Sequence, residues 1–136
     1  MNRLNIFGRI LAAIVALVAL GSGIGMMFNP DGLLGGLSVT PDGTVGYSSL
    51  RALIGGSQIA MGVIATVAVF RGRADAILVV AVYFTAVLLG RLVGLALDGV
   101  DPFSVRASAF AAVFMLLSFS AYGLLSRPAG QGSVSS

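Results

Sequence analysis

Residues 76–97 read AILVVAVYFTAVLLGRLVGLAL, an apolar run in which Arg91 is the one charged residue. A helix of about 20 apolar residues is long enough to cross the hydrocarbon core of a bilayer. An ionisable side chain inside such a helix is costly unless it is paired or faces water, so it marks a candidate functional site. This stretch therefore predicts a membrane-spanning helix, and the rest of the chain can be placed around Arg91.

The composition supports a membrane environment for most of the chain. Of its 136 residues, 57% are hydrophobic and 10% are charged, and the mean hydropathy is +1.03. A soluble domain of this size has too small an interior to hide so much apolar surface. The sequence predicts one integral membrane domain over residues 1–125 and no separate soluble domain.

Three further apolar runs complete the predicted domain. Residues 10–28 form a longer run than a cleavable signal peptide contains, so we expect a retained first helix. The spans are expected at about residues 6–28, 50–70, 76–97 and 105–125. Residues 29–49 are rich in Pro and Gly and are predicted as an outer loop, with Ser48 or Ser49 capping the second span. Residues 126–136 are rich in Ser and Gly and are predicted as a disordered cytoplasmic tail.

The distribution of Arg predicts how the chain crosses the membrane. Five Arg flank one side and four Asp flank the other: Arg3, Arg9, Arg71, Arg73 and Arg127 against Asp31, Asp42, Asp98 and Asp101. Because cytoplasmic loops carry an excess of Arg and Lys, both termini are expected in the cytoplasm. Short turns make neighbouring helices antiparallel. The predicted fold class is all-α, an integral membrane antiparallel four-helix bundle in a bacterial inner membrane.

Several classes of function are disfavoured by the residues that the chain lacks. It has no Cys, His, Glu, Trp or Lys, so no cofactor and no metal site are expected. Its eight Arg are spread along the chain, and no nucleic-acid partner is expected. General acid–base catalysis needs a group with a tunable pKa near the substrate. An enzyme is therefore the least expected class.

Small residues four apart suggest close helix contacts. In lipid, helices associate through small side chains that let their backbones approach. Gly21 and Gly25 on the first span, and Gly90 and Gly94 on the third, have this spacing. These faces either pack within one chain or face a second copy or a partner membrane protein, and the motif does not separate the two.

A set of polar residues is expected in the outer half of the domain. Arg91 precedes Asp98 by seven residues, so it lies about 10 Å below the outer boundary. Gln58 follows Arg51 by seven residues on the expected same face and reaches a similar depth. The predicted arrangement has two tiers, with Arg51 and Asp98 above and Arg91, Gln58 and Ser22 below. These tiers are either a structural plug or a pocket for an anion, a lipid headgroup or a polar ligand.

The chain resembles an uncharacterised bacterial family of small four-helix membrane proteins, the domain of unknown function 4345 type. The resemblance rests on RALIGG at residues 51–56 and GRLVGLALDG at residues 90–99, together with FNP at residues 28–30. It implies a four-helix inner-membrane fold and no particular activity. It also implies a glutamate early in the fourth helix, where this chain has Ala and Phe at residues 109–112. A bound anion or a carbonyl is therefore the expected partner of Arg91.

Two functional hypotheses follow from these observations. The first is a non-enzymatic small membrane protein that acts as a structural or interaction component of the lipid bilayer. The second is a carrier or receptor for a small anionic or amphipathic ligand, or for a lipid, that uses a pocket around Arg91.

Overall fold

The computed structural model describes residues 3–34 and 40–127, and this part of the chain contains helices and no strands. The helix bounds are α1 Arg3–Phe28, α2 Pro30–Leu34, α3 Gly43–Leu50, α4 Ser57–Arg71, α5 Ala74–Leu97 and α6 Pro102–Leu125. A π-helical segment, Arg51–Gly56, joins α3 to α4 without a break. The all-α fold class is therefore confirmed for the described residues.

Four helical stretches are long and apolar enough to cross a membrane: α1, the continuous stretch Gly43–Arg71, α5 and α6. They correspond to the four predicted spans. Their mean hydropathies, between 1.8 and 2.3 over an 18-residue window, are typical of membrane segments. The chain thus has the features of a multi-pass membrane protein. The orientation of its termini and the antiparallel membrane bundle stay predictions.

The prediction of a loop over residues 29–49 is wrong in part, because α2 and α3 lie inside it. The helix of the second span begins at Gly43, so neither Ser48 nor Ser49 caps it. The residues that suggested turns also begin helices: Pro30 is the first residue of α2, and Asp42 precedes α3 in an extended conformation. The Tyr47 hydroxyl donates a hydrogen bond to the Asp31 carboxylate at 2.7 Å and joins the two short helices.

Three other long helices begin a few residues before the expected bounds: α1 at Arg3, α5 at Ala74 and α6 at Pro102. Helix α6 begins at Pro102, three residues before the predicted span, because Asp101 caps its first turn. The predicted tail over residues 126–136 lies outside the described residues from residue 128 onward.

Each long helix packs against two others. Helix α1 contacts α4 and α6, and α5 contacts α4 and α6. Their shared core combines Ala with larger apolar side chains: Ala12, Val15, Ala65, Ala68, Ile77, Val80, Phe84, Phe114 and Ala121. Short side chains in the core keep the helix axes close together.

A close approach of two backbones joins α1 to the Gly43–Arg71 stretch. A Cβ atom on Gly23 would lie 2.7 Å from the Ile59 side chain, 2.8 Å from the Ile59 backbone nitrogen and 2.9 Å from the Gly55 carbonyl oxygen. One on Gly62 would lie 2.9 Å from the Leu20 backbone nitrogen. These distances leave no room for a methyl group, so Gly23 and Gly62 are required for the contact.

Three of the four Gly residues in the faces expected from sequence make no close contact with another helix. A Cβ on Gly21 or Gly90 would meet nothing within 4 Å, and one on Gly94 would approach only Asp98 Oδ2, at 3.7 Å. Of the two alternatives for these faces, packing within the chain does not hold at Gly21 and Gly90, and contact with a second copy or a partner stays a prediction. Four-residue spacing recurs on every face of a helix with so many Gly, and the spacing does not say which face is covered.

We expect Gly23→Ala to destabilise the protein and Gly21→Ala to leave it unchanged or slightly more stable. The first substitution forces apart two backbones, which costs about 1–3 kcal/mol. The second adds a methyl group to open space on the same helix and gains helix propensity. Unfolding by sodium dodecyl sulfate, followed by circular dichroism, measures both. Equal stabilities of the two variants would contradict the close contact at Gly23.

Candidate functional site

Arg91 lies near the end of α5, six residues before the helix terminates at Leu97. Its guanidinium carbon is 5.8 Å from the centre of the Phe103 ring, which belongs to the first turn of α6. Among the described residues, the one ion pair joins Arg73 to Asp75. Arg91 thus has an aromatic neighbour but no carboxylate within 4 Å.

A cavity of about 270 Å³ lies beside Arg91, and we call it the apolar cavity. All four long helical stretches contribute to its lining, which contains one charged residue, two other polar residues and eight apolar ones. They are Ser22, Met26, Ile54, Gln58, Phe84, Val87, Arg91, Phe103, Ala107, Phe110 and Ala111. A mostly apolar wall with a few convergent polar groups is typical of ligand sites.

A second opening of about 330 Å³, the polar groove, shares Arg91 with the apolar cavity. It is formed by the end of α5, the turn that follows and the start of α6. Its lining residues are Gly90, Arg91, Gly94, Leu95, Asp98, Gly99, Val100, Asp101 and Ser104. Gly90, Gly94 and Gly99 have no side chains to fill the space. Arg91 therefore lies between an apolar compartment and a polar one.

The structure brings most of the predicted site residues together. Arg91, Gln58 and Ser22, predicted as the lower tier, line the apolar cavity. Asp98 lines the polar groove with Arg91. Their role in binding stays a prediction.

Arg51 does not join the others and lines neither the cavity nor the groove. Its guanidinium carbon is 6.0 Å from the centre of the Tyr47 ring, and the residue is exposed. Arg51 begins the π-helical segment, and a π turn holds more residues than an α turn. The prediction that Arg51 and Gln58 share one face assumes an α-helix, and the π-helical segment changes the angle between the two side chains.

Sequence reasoning missed the π-helical segment and the hydrogen bonds that accompany it. The Ser57 hydroxyl lies 2.5 Å from the Leu53 carbonyl oxygen, 3.1 Å from that of Ile54 and 3.1 Å from the Tyr83 hydroxyl. These contacts link the π-helical segment to α5 directly beside Gln58. No sequence signal for a π turn is available, but a Ser that bonds back to a carbonyl four residues earlier often accompanies a distorted helix.

Phe103 and Asp101 were also missed, although their position just after the Asp98-Gly99 turn was a usable signal. Asp101 Oδ1 accepts hydrogen bonds from the backbone N–H groups of Phe103 and Ser104, both at 2.9 Å. This cap fixes the first turn of α6 and with it the Phe103 ring over Arg91. Hydrogen bonds from Ser104, then from the Phe103 backbone, lower the pKa of Asp101 below its usual range.

The described residues contain no group of three or more metal-binding side chains. These residues form a helical protein with four stretches of membrane-spanning length, and the wall of its apolar cavity contains one charged side chain, that of Arg91. The model of the family DUF4345, Domain of unknown function, matches residues 7–122. The chain belongs to this family, as its sequence motifs predicted. No curated protein and no solved structure matches the chain.

We expect Asp101→Ala to lower the thermal unfolding midpoint at pH 7 by on the order of 3 °C, because α6 loses its N-cap. A carboxyl whose pKa is lower in the folded state contributes stability above its unfolded pKa, which is about 3.9. The difference between wild type and Asp101→Ala should therefore shrink as the pH falls through the lowered pKa of the folded protein. Asp101→Asn, which caps without titrating, is the control: its difference from Asp101→Ala should not change with pH. Circular dichroism in detergent between pH 2 and 7 measures these differences, and a gap that widens on acidification would contradict the cap.

Proposed function

We propose that this protein is a non-enzymatic, multi-pass component of the bacterial inner membrane that holds an amphipathic anion in the apolar cavity, with Arg91 as its charged contact. One observation carries the proposal: all four long helical stretches line a cavity in which Arg91 is the one charged residue. The anionic group would lie against Arg91, and the apolar part of the ligand against the wall formed by residues such as Phe84, Val87 and Phe110.

The energetic argument starts from the cost of the charge. Insertion of an unpaired Arg at the centre of a membrane helix costs about 2.5–3.5 kcal/mol. Arg91 is half-buried and has no carboxylate within 4 Å among the described residues. The glutamate that the family resemblance implies has no counterpart here, since Phe110 and Ala111 form that part of the wall. An anion supplied from outside the chain would offset the cost.

The surface of the helices supports placement in a bilayer. Large apolar side chains are exposed around the structure, among them Leu17 at 71%, Leu53 at 73% and Phe70 at 78% of their surface. Apolar surface on this scale marks contact with another apolar phase, and lipid tails provide it on all sides. The bilayer is therefore the first partner we assign.

One side-chain contact supports the proposed threading. A Cβ on Gly72 would lie 2.7 Å from Arg9 Nη2, so the Arg9 guanidinium lies against the turn between α4 and α5. The start of α1 and this turn, which also carries Arg71 and Arg73, are thus neighbours. This agrees with an antiparallel arrangement in which the Arg-rich side faces the cytoplasm and both termini lie there.

A non-enzymatic role is the proposal that suits the cavity. Its polar residues are Arg91, Gln58 and Ser22. The Ser22 hydroxyl already donates to the Ala19 carbonyl oxygen at 3.1 Å. Arg donates hydrogen bonds, and Gln and Ser are neutral hydrogen-bonding side chains, so the three can hold a ligand but are poorly suited to move protons during a reaction.

We expect native mass spectrometry of gently extracted protein to show a bound small mass that Arg91→Met loses and Arg51→Met keeps. The two substitutions remove the same charge from the same side of the predicted domain, but Arg51 lines neither opening. Loss of retained ligand by at least about tenfold is expected if a charge-assisted contact is removed. Gel filtration and circular dichroism establish that both variants remain folded.

Other outcomes of this measurement contradict the binding proposal. No extra mass in the wild type, or the same mass in all three proteins, would make Arg91 a structural residue. If a homo-oligomer or a partner then survived extraction, the structural or interaction role would replace ligand binding. The exposed face of α1 that includes Leu17 and Gly21, or the groove at Gly90 and Gly94, would be the first surface to test.

Ala111→Glu should displace the ligand without removing Arg91. Ala111 lines the same cavity as Arg91, so a carboxylate introduced there can supply the negative charge from within the chain. We expect the bound mass to fall at least about tenfold, and Ala111→Gln, which has the same size without the charge, to retain more of it. The same native mass measurement compares them. Equal retention by the two variants would contradict an anion at Arg91.

A further inference from the structure

The polar groove has the opposite charge balance to the apolar cavity. The cavity wall contains one charged residue, Arg91, whereas the groove wall contains Arg91 together with two carboxylates, Asp98 and Asp101. A simple anion that entered from the groove would pass two negative charges to reach Arg91. The groove is therefore suited to a cationic group, and the cavity to an anionic one.

Asp98 is the carboxylate with the stronger reason to attract a cation. It follows the last residue of α5, and its backbone N–H donates to the Gly94 carbonyl oxygen at 2.8 Å. The C-terminal end of a helix carries partial negative charge, which disfavours a carboxylate there and favours a cation. Asp98 Oδ2 lies over Gly94, 3.7 Å from the position of a Cβ on that residue, and so borders the open part of the groove.

Asp101 plays a smaller part, because one of its oxygens is already engaged. Oδ1 accepts the two backbone hydrogen bonds that cap α6. Its remaining oxygen adds negative potential to the groove without being essential to the site. Asp98 caps α5 through its backbone N–H and not through its side chain, so replacing the side chain tests the groove while the capping bond to Gly94 can persist.

We infer that the ligand is a zwitterionic amphiphile whose phosphate contacts Arg91, whose primary ammonium group lies beside Asp98, and whose acyl chain enters the apolar cavity. This inference rests on the proposed function and assigns the chemical class of its ligand. Arg91 lines both openings, and Asp98 lies about two helical turns further along α5, so the two charged residues line the polar groove from the same face of one helix. An aminoalkyl phosphate ester carries both charges on adjacent groups and an apolar tail, in the order that the groove and the cavity require.

Two phospholipids provide a matched pair of probes. Phosphatidylethanolamine and phosphatidylglycerol with identical acyl chains share the phosphate and the tails, and only the former carries an ammonium group. The full-length protein is reconstituted in bilayers with equal amounts of both, extracted gently, and its retained lipids are counted by native mass spectrometry. The proteins compared are wild type, Asp98→Asn, Asp98→Glu, Arg91→Met and Asp42→Asn.

We expect the wild type to retain phosphatidylethanolamine over phosphatidylglycerol by about fivefold, the preference given by one solvent-accessible charge pair. Asp98→Asn should still retain lipid but with a ratio near one, because the phosphate contact persists while the ammonium contact is lost. Asp98→Glu should restore the preference, and Arg91→Met should lose both lipids. Asp42→Asn should behave as wild type, because Asp42 is exposed and lines neither opening.

Failure of this inference differs from failure of the proposed function. If the wild type retains both lipids equally, or Asp98→Asn keeps the preference, the zwitterionic assignment is overturned while lipid binding at Arg91 stands. If no protein retains either lipid, the proposed function fails too. Free phosphoethanolamine is added as a last arm. If free phosphoethanolamine displaced the bound phospholipid when the two were present at the same concentration, the placement of the acyl chain in the cavity would be overturned.

Discussion

The contact between α1 and the Gly43–Arg71 stretch is the constraint on which the candidate site depends. Lipid tails are as apolar as Leu, so helices in a bilayer gain little from the hydrophobic effect and associate where their backbones can approach. Gly23 and Gly62 permit that approach. Ser22 and Gln58 directly precede Gly23 and Ile59, the residues in contact, so the same packing brings both polar side chains to the apolar cavity.

The second organising feature is the division of charge at the end of α5. Arg91 separates a compartment with an apolar wall from a groove that contains two carboxylates. Gly90 and Gly94 leave room in the groove, since a Cβ on Gly90 would meet nothing within 4 Å and one on Gly94 would approach only Asp98 Oδ2, at 3.7 Å. Helix α6 completes both compartments, with Phe103 over Arg91 and Ser104 in the groove. A single helical turn at the start of α6 thus contributes to both sides of the site.

Features that depend on local composition could be predicted from the sequence, whereas features that depend on which helix faces meet could not. Long apolar runs predicted the four long helices, and the cost of a charge in such a run identified Arg91. Helix rise was sufficient to group Gln58 and Ser22 with it. The pairing of Gly23 with Ile59 was not predictable, because small residues occur on several faces and only the assembled helices show which face is covered.

Arg51 and the helices of the segment 29–49 could not be placed for a different reason. The expected position of Arg51 assumed α-helical geometry across residues 51–58, and a π turn interrupts it. Turn-forming residues such as Pro30 and Asp42 are also common at helix starts, so their presence does not distinguish a loop from a short helix. At residues 51–56 the sequence allows an α-helix or a π-helix, and within residues 29–49 it allows a loop or short helices. The observed short helices are accompanied by a tertiary contact, the hydrogen bond from Tyr47 to Asp31.

The π-helical segment Arg51–Gly56 also affects how the protein can tolerate the deletion of a residue. A π turn contains more residues than the α turn it replaces, so a deletion of one residue there can be absorbed by a return to α-helix. Such a deletion would leave α4 and the cavity wall in place and would avoid the rotation of about 100° that a one-residue deletion causes in an unbroken α-helix. Tyr47 would therefore stay on the side of the helix that faces Asp31. The segment is a position at which the chain could lose one residue without redirecting α3 or rebuilding the site.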